Sequence, residues 1–129
     1  MRHLNKRVRN ISSGAQKTSN VLRNMLTNLV AHGQVVTTQK RAQVLKSVAN
    51  NFFASLVKLY VTRPQEDARR EAIRQIKSTI YTEIDGKKVL DELLPRYVER
   101  ADHRGFVMDL KLGPRPGDAA EKVLVRLMA

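Results

Sequence analysis

The chain has 129 residues, no Cys, and 24 Lys or Arg against 12 Asp or Glu, a formal net charge of +12. That length is one domain, and the missing thiols exclude a disulfide scaffold, a Cys-ligated zinc site and a thiol nucleophile. Hydrophobic residues, at 42%, are enough for a packed core, and 5% aromatics without Trp predict an aliphatic one. Met1 to Lys17 carries Arg2, Lys6, Arg7, Arg9 and Lys17, a Ser12-Ser13-Gly14 breaker and few large apolar groups. It buries too little to offset roughly 1–2 kcal/mol of backbone entropy per residue. A basic arm over 1–17 is therefore expected, disordered when free and ordered on a polyanion. The folded domain is expected over 18–129.

From Thr18 to His32, Val21, Leu22, Met25, Leu26, Leu29 and Val30 share one face of a 3.6-residue period. Thr18 or Ser19 can cap this helix, and Gly33 can stop it. Gln34-Val35-Val36-Thr37-Thr38 is short and β-branched, a predicted strand whose Thr can cap the next helix. Gln39 to about Val61 is the longest helical pattern, with Ala42, Leu45, Val48, Ala49, Phe52, Phe53, Leu56 and Tyr60 on one stripe. Thr62-Arg63-Pro64 breaks it, and Glu66 and Asp67 suit the start of another helix reaching about Tyr81. Asp85-Gly86 predicts a turn, and Lys88 to about Tyr97 a short helix weakened at Pro95. Residues 105–112 and 122–127 alternate in twos around Gly113-Pro114-Arg115-Pro116-Gly117-Asp118, a dense turn signal. The predicted class is α+β, a two-layer single domain. Helix, strand and further helices lead to a C-terminal β-hairpin with an Arg at its tip.

The charge is not spread evenly. From Met1 to Arg63 there are 11 Lys or Arg and no acid, whereas from Glu66 onward 13 basic residues face 12 acidic ones. A solvated surface interleaves both signs, because like charges repel. Sixty-odd residues without an acid fit a polyanion, and a nucleic-acid partner is the best explanation. A membrane surface fits poorly, because no broad apolar face lies opposite the cations. No apolar run approaches the roughly 18–20 residues of a membrane span, and no apolar stretch follows the basic start, so neither a span nor a secretory signal is expected.

Catalytic chemistry finds no candidates. His3, His32 and His103 are far apart, so no metal site is expected. There is no Gly-rich phosphate loop, no nucleophile–His–acid set and no paired-acid arrangement. Glu66–Arg70 and Glu71–Lys77 read as solvated surface pairs. No cofactor, enzyme activity or small-molecule substrate is expected. The rival reading is a helix-turn-helix DNA-binding regulator over Leu22 to Val48, with Gln39, Lys40, Arg41 and Gln43 facing a groove. Its connection is longer than the turn of about 3–4 residues that motif uses.

Several segments, taken in order, resemble one family. They are Met1-Arg2-His3; Leu22-Arg23-Asn24-Met25 running into Leu29-Val30; Val36-Thr37-Thr38 with Arg41-Ala42 and Leu45; Leu94-Pro95-Arg96-Tyr97 and Arg100; Gly105-Phe106; and Arg115-Pro116-Gly117-Asp118-Ala119. The ordered set is similar to the ribosomal protein L-seventeen family of the bacterial large subunit, over nearly the whole chain. Two segments depart from the family pattern. Lys17-Thr18 stands where the family has His followed by a basic residue. Its Gly-Gly-Tyr-Thr-Arg-Ile reads Arg104-Gly105-Phe106-Val107-Met108-Asp109, which puts Met108 in place of Arg, with Arg104 as a possible substitute.

The resemblance implies a structural role in the cytoplasmic ribosome, on large-subunit rRNA around the exterior of the peptide exit tunnel. Its implied partners are that rRNA and neighbouring large-subunit proteins, with no membrane. The acid-free half and the resemblance together nominate RNA-binding residues. They are Arg2, His3, Lys6, Arg7, Arg9, Lys17, Arg23, Asn24, Lys40, Arg41, Lys46, Arg96, Arg100, Arg104, Lys111 and Arg115. Scarce aromatics argue against a base-stacking platform, so shape and phosphate recognition are expected.

Overall fold

Gly33 sets the first corner. The first helix, α1 (Ala15–His32), ends there, and Gly33 takes φ +79°, a conformation that costs residues with a Cβ about 1–2 kcal/mol. The chain leaves as β1 (Gln34–Thr38) and turns directly into α2 (Gln39–Thr62). The computed structural model describes residues 11, 15–100 and 105–128. Within them follow α3 (Gln65–Thr79), α4 (Glu83–Lys88), a π turn (Val89–Leu93), α5 (Leu94–Glu99), β2 (Val107–Pro114) and β3 (Glu121–Leu127).

The strands form one antiparallel sheet in the order β1-β3-β2, so the last strand is the central one. This rules out the helix-turn-helix reading. The segment between the first two helices is not a turn but an edge strand paired along its length, Gln34 to Arg126 through Thr38 to Lys122.

The helix signals were legible, with informative exceptions. α1 begins three residues before Thr18, and Ile11 is buried against Leu22 and Val44. Thr38 occupies the N-cap position of α2, but its hydroxyl makes no capping hydrogen bond. Asp85-Gly86 is not a turn. The Thr82 hydroxyl donates to the Asp85 carboxylate and the Gly86 N–H to the Thr82 carbonyl (3.0 Å), which closes a helical turn instead. Glycine stands there for space, since a Cβ would meet Ile76 Cγ2 at 3.1 Å.

The helix then continues through Pro95 by widening. The Leu94 N–H reaches back to the Val89 carbonyl, the π spacing, one residue before a proline that lacks an N–H of its own. The surface pairs form at Glu71–Arg74 (3.5 Å) and Glu83–Lys87 (3.2 Å), not at Glu66–Arg70 and Glu71–Lys77.

The core is aliphatic in bulk but not at its centre. Phe53 of α2, Tyr97 of α5 and Phe106 at the entry to β2 are fully buried, and Phe52 packs beside them. Ring centroids lie 5.1 Å apart for Phe53–Tyr97, 4.9 Å for Tyr97–Phe106 and 6.0 Å for Phe53–Phe106. Composition counts aromatics but does not say that four of the six converge. Around them pack Ala42, Leu45 and Ala49 of α2, and Val123 and Val125 of the central strand. Asn50 Oδ1 accepts the Phe106 N–H at 3.0 Å and fixes where β2 begins.

One sheet face meets the helices and the other stays open. Pairing places Val36, Leu124 and Leu110 on the same side, and Val36 is 53% and Leu110 54% exposed. Beyond Val107, β2 therefore turns apolar groups outward and Asp109 inward, the reverse of the usual alternation. Replacing the central ring, Phe53→Ala, should cost about 3–5 kcal/mol. Urea unfolding should show this as a large drop in midpoint. A loss below about 1 kcal/mol would show that the aromatic cluster does not join the layers.

Candidate nucleic-acid interface

Strand pairing gathers one group of cations at the hairpin end of the sheet. Thr38 pairs with Lys122, and Lys122 with Gly113, so the first turn of α2 lies beside the hairpin turn. Lys40 and Arg41 are exposed on that turn, and Lys111 is exposed near the end of β2. Lys122 joins them. The sequence reading missed it, because only the pairing with Thr38 brings it there.

Two expected members of this group carry internal partners. Lys46 Nζ donates to Asp109 Oδ1 at 2.8 Å, with both side chains 41% exposed. That hydrogen bond holds the Asp109 carboxyl below its ordinary range against slight desolvation, with a further push from Lys111. At the tip, Arg115 Nε donates to Asp118 Oδ1 at 3.0 Å and Nη2 donates to Oδ2. The Ala120 N–H donates to the same carboxylate at 3.1 Å. Arg115 thus holds Asp118 well below the usual carboxylate range and is itself raised. Gly117 takes φ +104°, as the turn signal predicts, and Ala119 takes φ +56°. The tip is an ordered turn, and a phosphate reaching Arg115 competes with Asp118.

The remaining nominated residues lie elsewhere. Arg23 serves as a brace between α1 and the end of α3. Its Nε donates to the Thr79 carbonyl (3.3 Å), and its guanidinium lies 4.2 Å from the centre of the Tyr81 ring. Below it, the buried Thr27 hydroxyl donates to the Arg23 carbonyl (2.8 Å) and accepts the Tyr81 N–H (3.2 Å). Arg100 lies 5.9 Å and 5.5 Å from the ring centres of Tyr97 and Phe106. Lys17 and Asn24 are exposed on α1, and Arg96 is exposed on α5. Arg2, His3, Lys6, Arg7, Arg9 and Arg104 lie outside the described residues.

A cavity of about 530 Å³ between α3 and α4 is lined by Ile73, Ile76, Ile80 and Leu90 and contains none of the nominated residues. No group of three metal-binding side chains occurs among the described residues, and no helix there is long and apolar enough to cross a membrane.

The profile of the family described as Ribosomal protein L17 matches residues 21–128. The chain belongs to the ribosomal protein L17 family. A relative from Halothermothrix orenii, the large ribosomal subunit protein bL17, is 36% identical over 118 residues, covering 90% of this chain and 91% of its own length. The protein of the same name from Clostridium beijerinckii is 34% identical over 108 residues, 84% of this chain and 86% of its own. That of a Thermotoga species is 34% identical over 131 aligned positions, 99% of this chain and 95% of its own.

In the register of the sheet Met108 lies directly opposite Arg126. Asp109 points to the helix side and takes Lys46 as partner.

The two ion pairs give a pH prediction. Asp109 and Asp118 should both titrate below the ordinary carboxylate range by side-chain NMR. Lys46→Ala should return Asp109, and Arg115→Ala should return Asp118, toward that range. Because the folded pKa values are lowered, each pair stabilises the fold above about pH 4 and loses that contribution as pH falls through the folded value. Unmoved titrations in the variants would show that the pairs do not form in solution.

Proposed function

We propose that this chain is a structural constituent of the large ribosomal subunit that binds large-subunit rRNA near the exterior of the peptide exit tunnel, in the cytoplasmic ribosome. The observation that carries this reading is the acid-free first half. Its exposed cations Lys40 and Arg41 lie at the same end of the sheet as Lys111, Lys122 and Arg115 of the distant C-terminal hairpin. Membership of a ribosomal family supports the setting.

The mechanism is neutralisation of crowded phosphates. Each contact releases counterions, so affinity comes mainly from a salt-sensitive entropic term. A-form grooves hide base edges from side chains, so RNA shape sets specificity. The basic segment before Ile11 adds to the same charge as an arm that orders on RNA. Neighbouring large-subunit proteins are the second class of partner. The apolar row Val36–Leu124–Leu110 offers nothing to a phosphate and suits a protein surface.

With roughly 6–10 phosphates neutralised, log affinity for large-subunit rRNA should fall with log salt at a slope of about −4 to −9. A slope near zero would contradict the electrostatic mechanism, and a tight preference for one DNA duplex would favour a regulator. Deleting Met1–Arg9 removes Arg2, Lys6, Arg7 and Arg9 but keeps the Ile11 anchor. Cooperative unfolding should survive, and the slope should become shallower by up to about 3–4. An unchanged slope would place the effective charges on the folded domain alone.

A further inference from the structure

We propose that the cavity at the Gly33 end of the sheet is a second phosphate-binding site, which takes an RNA backbone phosphate separate from those met at the hairpin end. The proposal rests on the rRNA-binding reading above and adds a site to it. Four separate segments converge there. His32 ends α1, Lys88 ends α4, Arg96 lies on α5, and Arg126 lies on β3 opposite Gln34. With Glu92 and Tyr97 they line a cavity of about 290 Å³. Three permanent cations and a histidine thus surround one carboxylate.

The ordinary explanation covers only part of this. Lys88 Nζ donates to the Ala31 carbonyl at 3.2 Å and so serves the C-terminus of α1, where helix carbonyls attract a cation. Arg96 and Arg126 come from other elements and form no ion pair among the described residues. Holding two guanidiniums at one concavity is unfavourable without an anion, and their planar forks match phosphate oxygens in pairs.

Tyr97 backs the same wall, with its ring in the aromatic cluster and its hydroxyl buried without a hydrogen-bond partner among the described residues. The two basic ends are separate places. From Lys122 to Arg126 the strand advances four residues, about 13 Å at 3.3 Å per residue, so no single phosphate reaches both.

Two double variants of the full chain test this against purified large-subunit rRNA, by hydroxyl-radical footprinting and salt-dependent binding. The affected side chains are exposed, so melting temperatures should stay near the parent, which should protect two separate RNA stretches. Arg96→Ala with Arg126→Ala should lose one stretch and keep the other. Its affinity at physiological salt should fall about 10–30-fold and its salt slope should become shallower by about 2. Lys40→Ala with Arg41→Ala should lose the complementary stretch. If the Arg96/Arg126 variant keeps both stretches and its slope while the Lys40/Arg41 variant weakens, the second site is overturned and the rRNA reading stands. If the parent protects no RNA, the rRNA reading itself fails, and the second site with it.

Discussion

The aromatic contact among Phe53, Tyr97 and Phe106 is the point on which the rest of the molecule depends. These rings come from the longest helix, the helix after the π turn and the start of the hairpin, so one cluster joins the helical layer to the sheet. The π turn exists upstream of it. Without that widening, Pro95 would break the helix before Tyr97 reached the core. Asn50, one turn before Phe53, sets the strand start through the Phe106 N–H. From that start the register follows, and the register decides which cations become neighbours.

That dependence explains how a basic sequence becomes two basic ends. β3 closes the chain yet lies in the middle of the sheet, with β1 on one side and β2 on the other. It carries Lys122 to the hairpin end, beside the acid-free start of α2, and Arg126 to the Gly33 end, beside α5. Charges placed far apart in sequence are thereby presented in two groups about a strand length apart. A protein built this way can hold two stretches of polyanion at a fixed separation, which suits a structural part of a ribonucleoprotein.

The periodic segments were legible because burial follows local spacing. Gly33, the strand over Gln34–Thr38 and the hairpin turn all appear where local chemistry demands them. Other features depended on contacts that no local pattern encodes. Asp85-Gly86 has the composition of a turn, yet Gly86 serves close packing against Ile76. Ile11 looks isolated among polar residues until Leu22 and Val44 meet it. Among the nominated residues, Lys40, Arg41 and Lys111 lie at the hairpin end of the sheet. Arg23 is legible as a cation but not as a brace, because its partners Thr79 and Tyr81 lie more than fifty residues away. Lys122 and Arg126 sit in an ordinary alternating strand, and only the strand order gives them neighbours.

The central claim is that this chain works as a resident part of the large ribosomal subunit. Sedimentation of a cell lysate through a sucrose gradient, with the chain followed across the fractions, tests it most directly. The account predicts that the chain travels with the large subunit and with assembled ribosomes at moderate salt, and is stripped from them as salt is raised. Recovery only in the slow fractions at the top of the gradient, at every salt concentration, would contradict it.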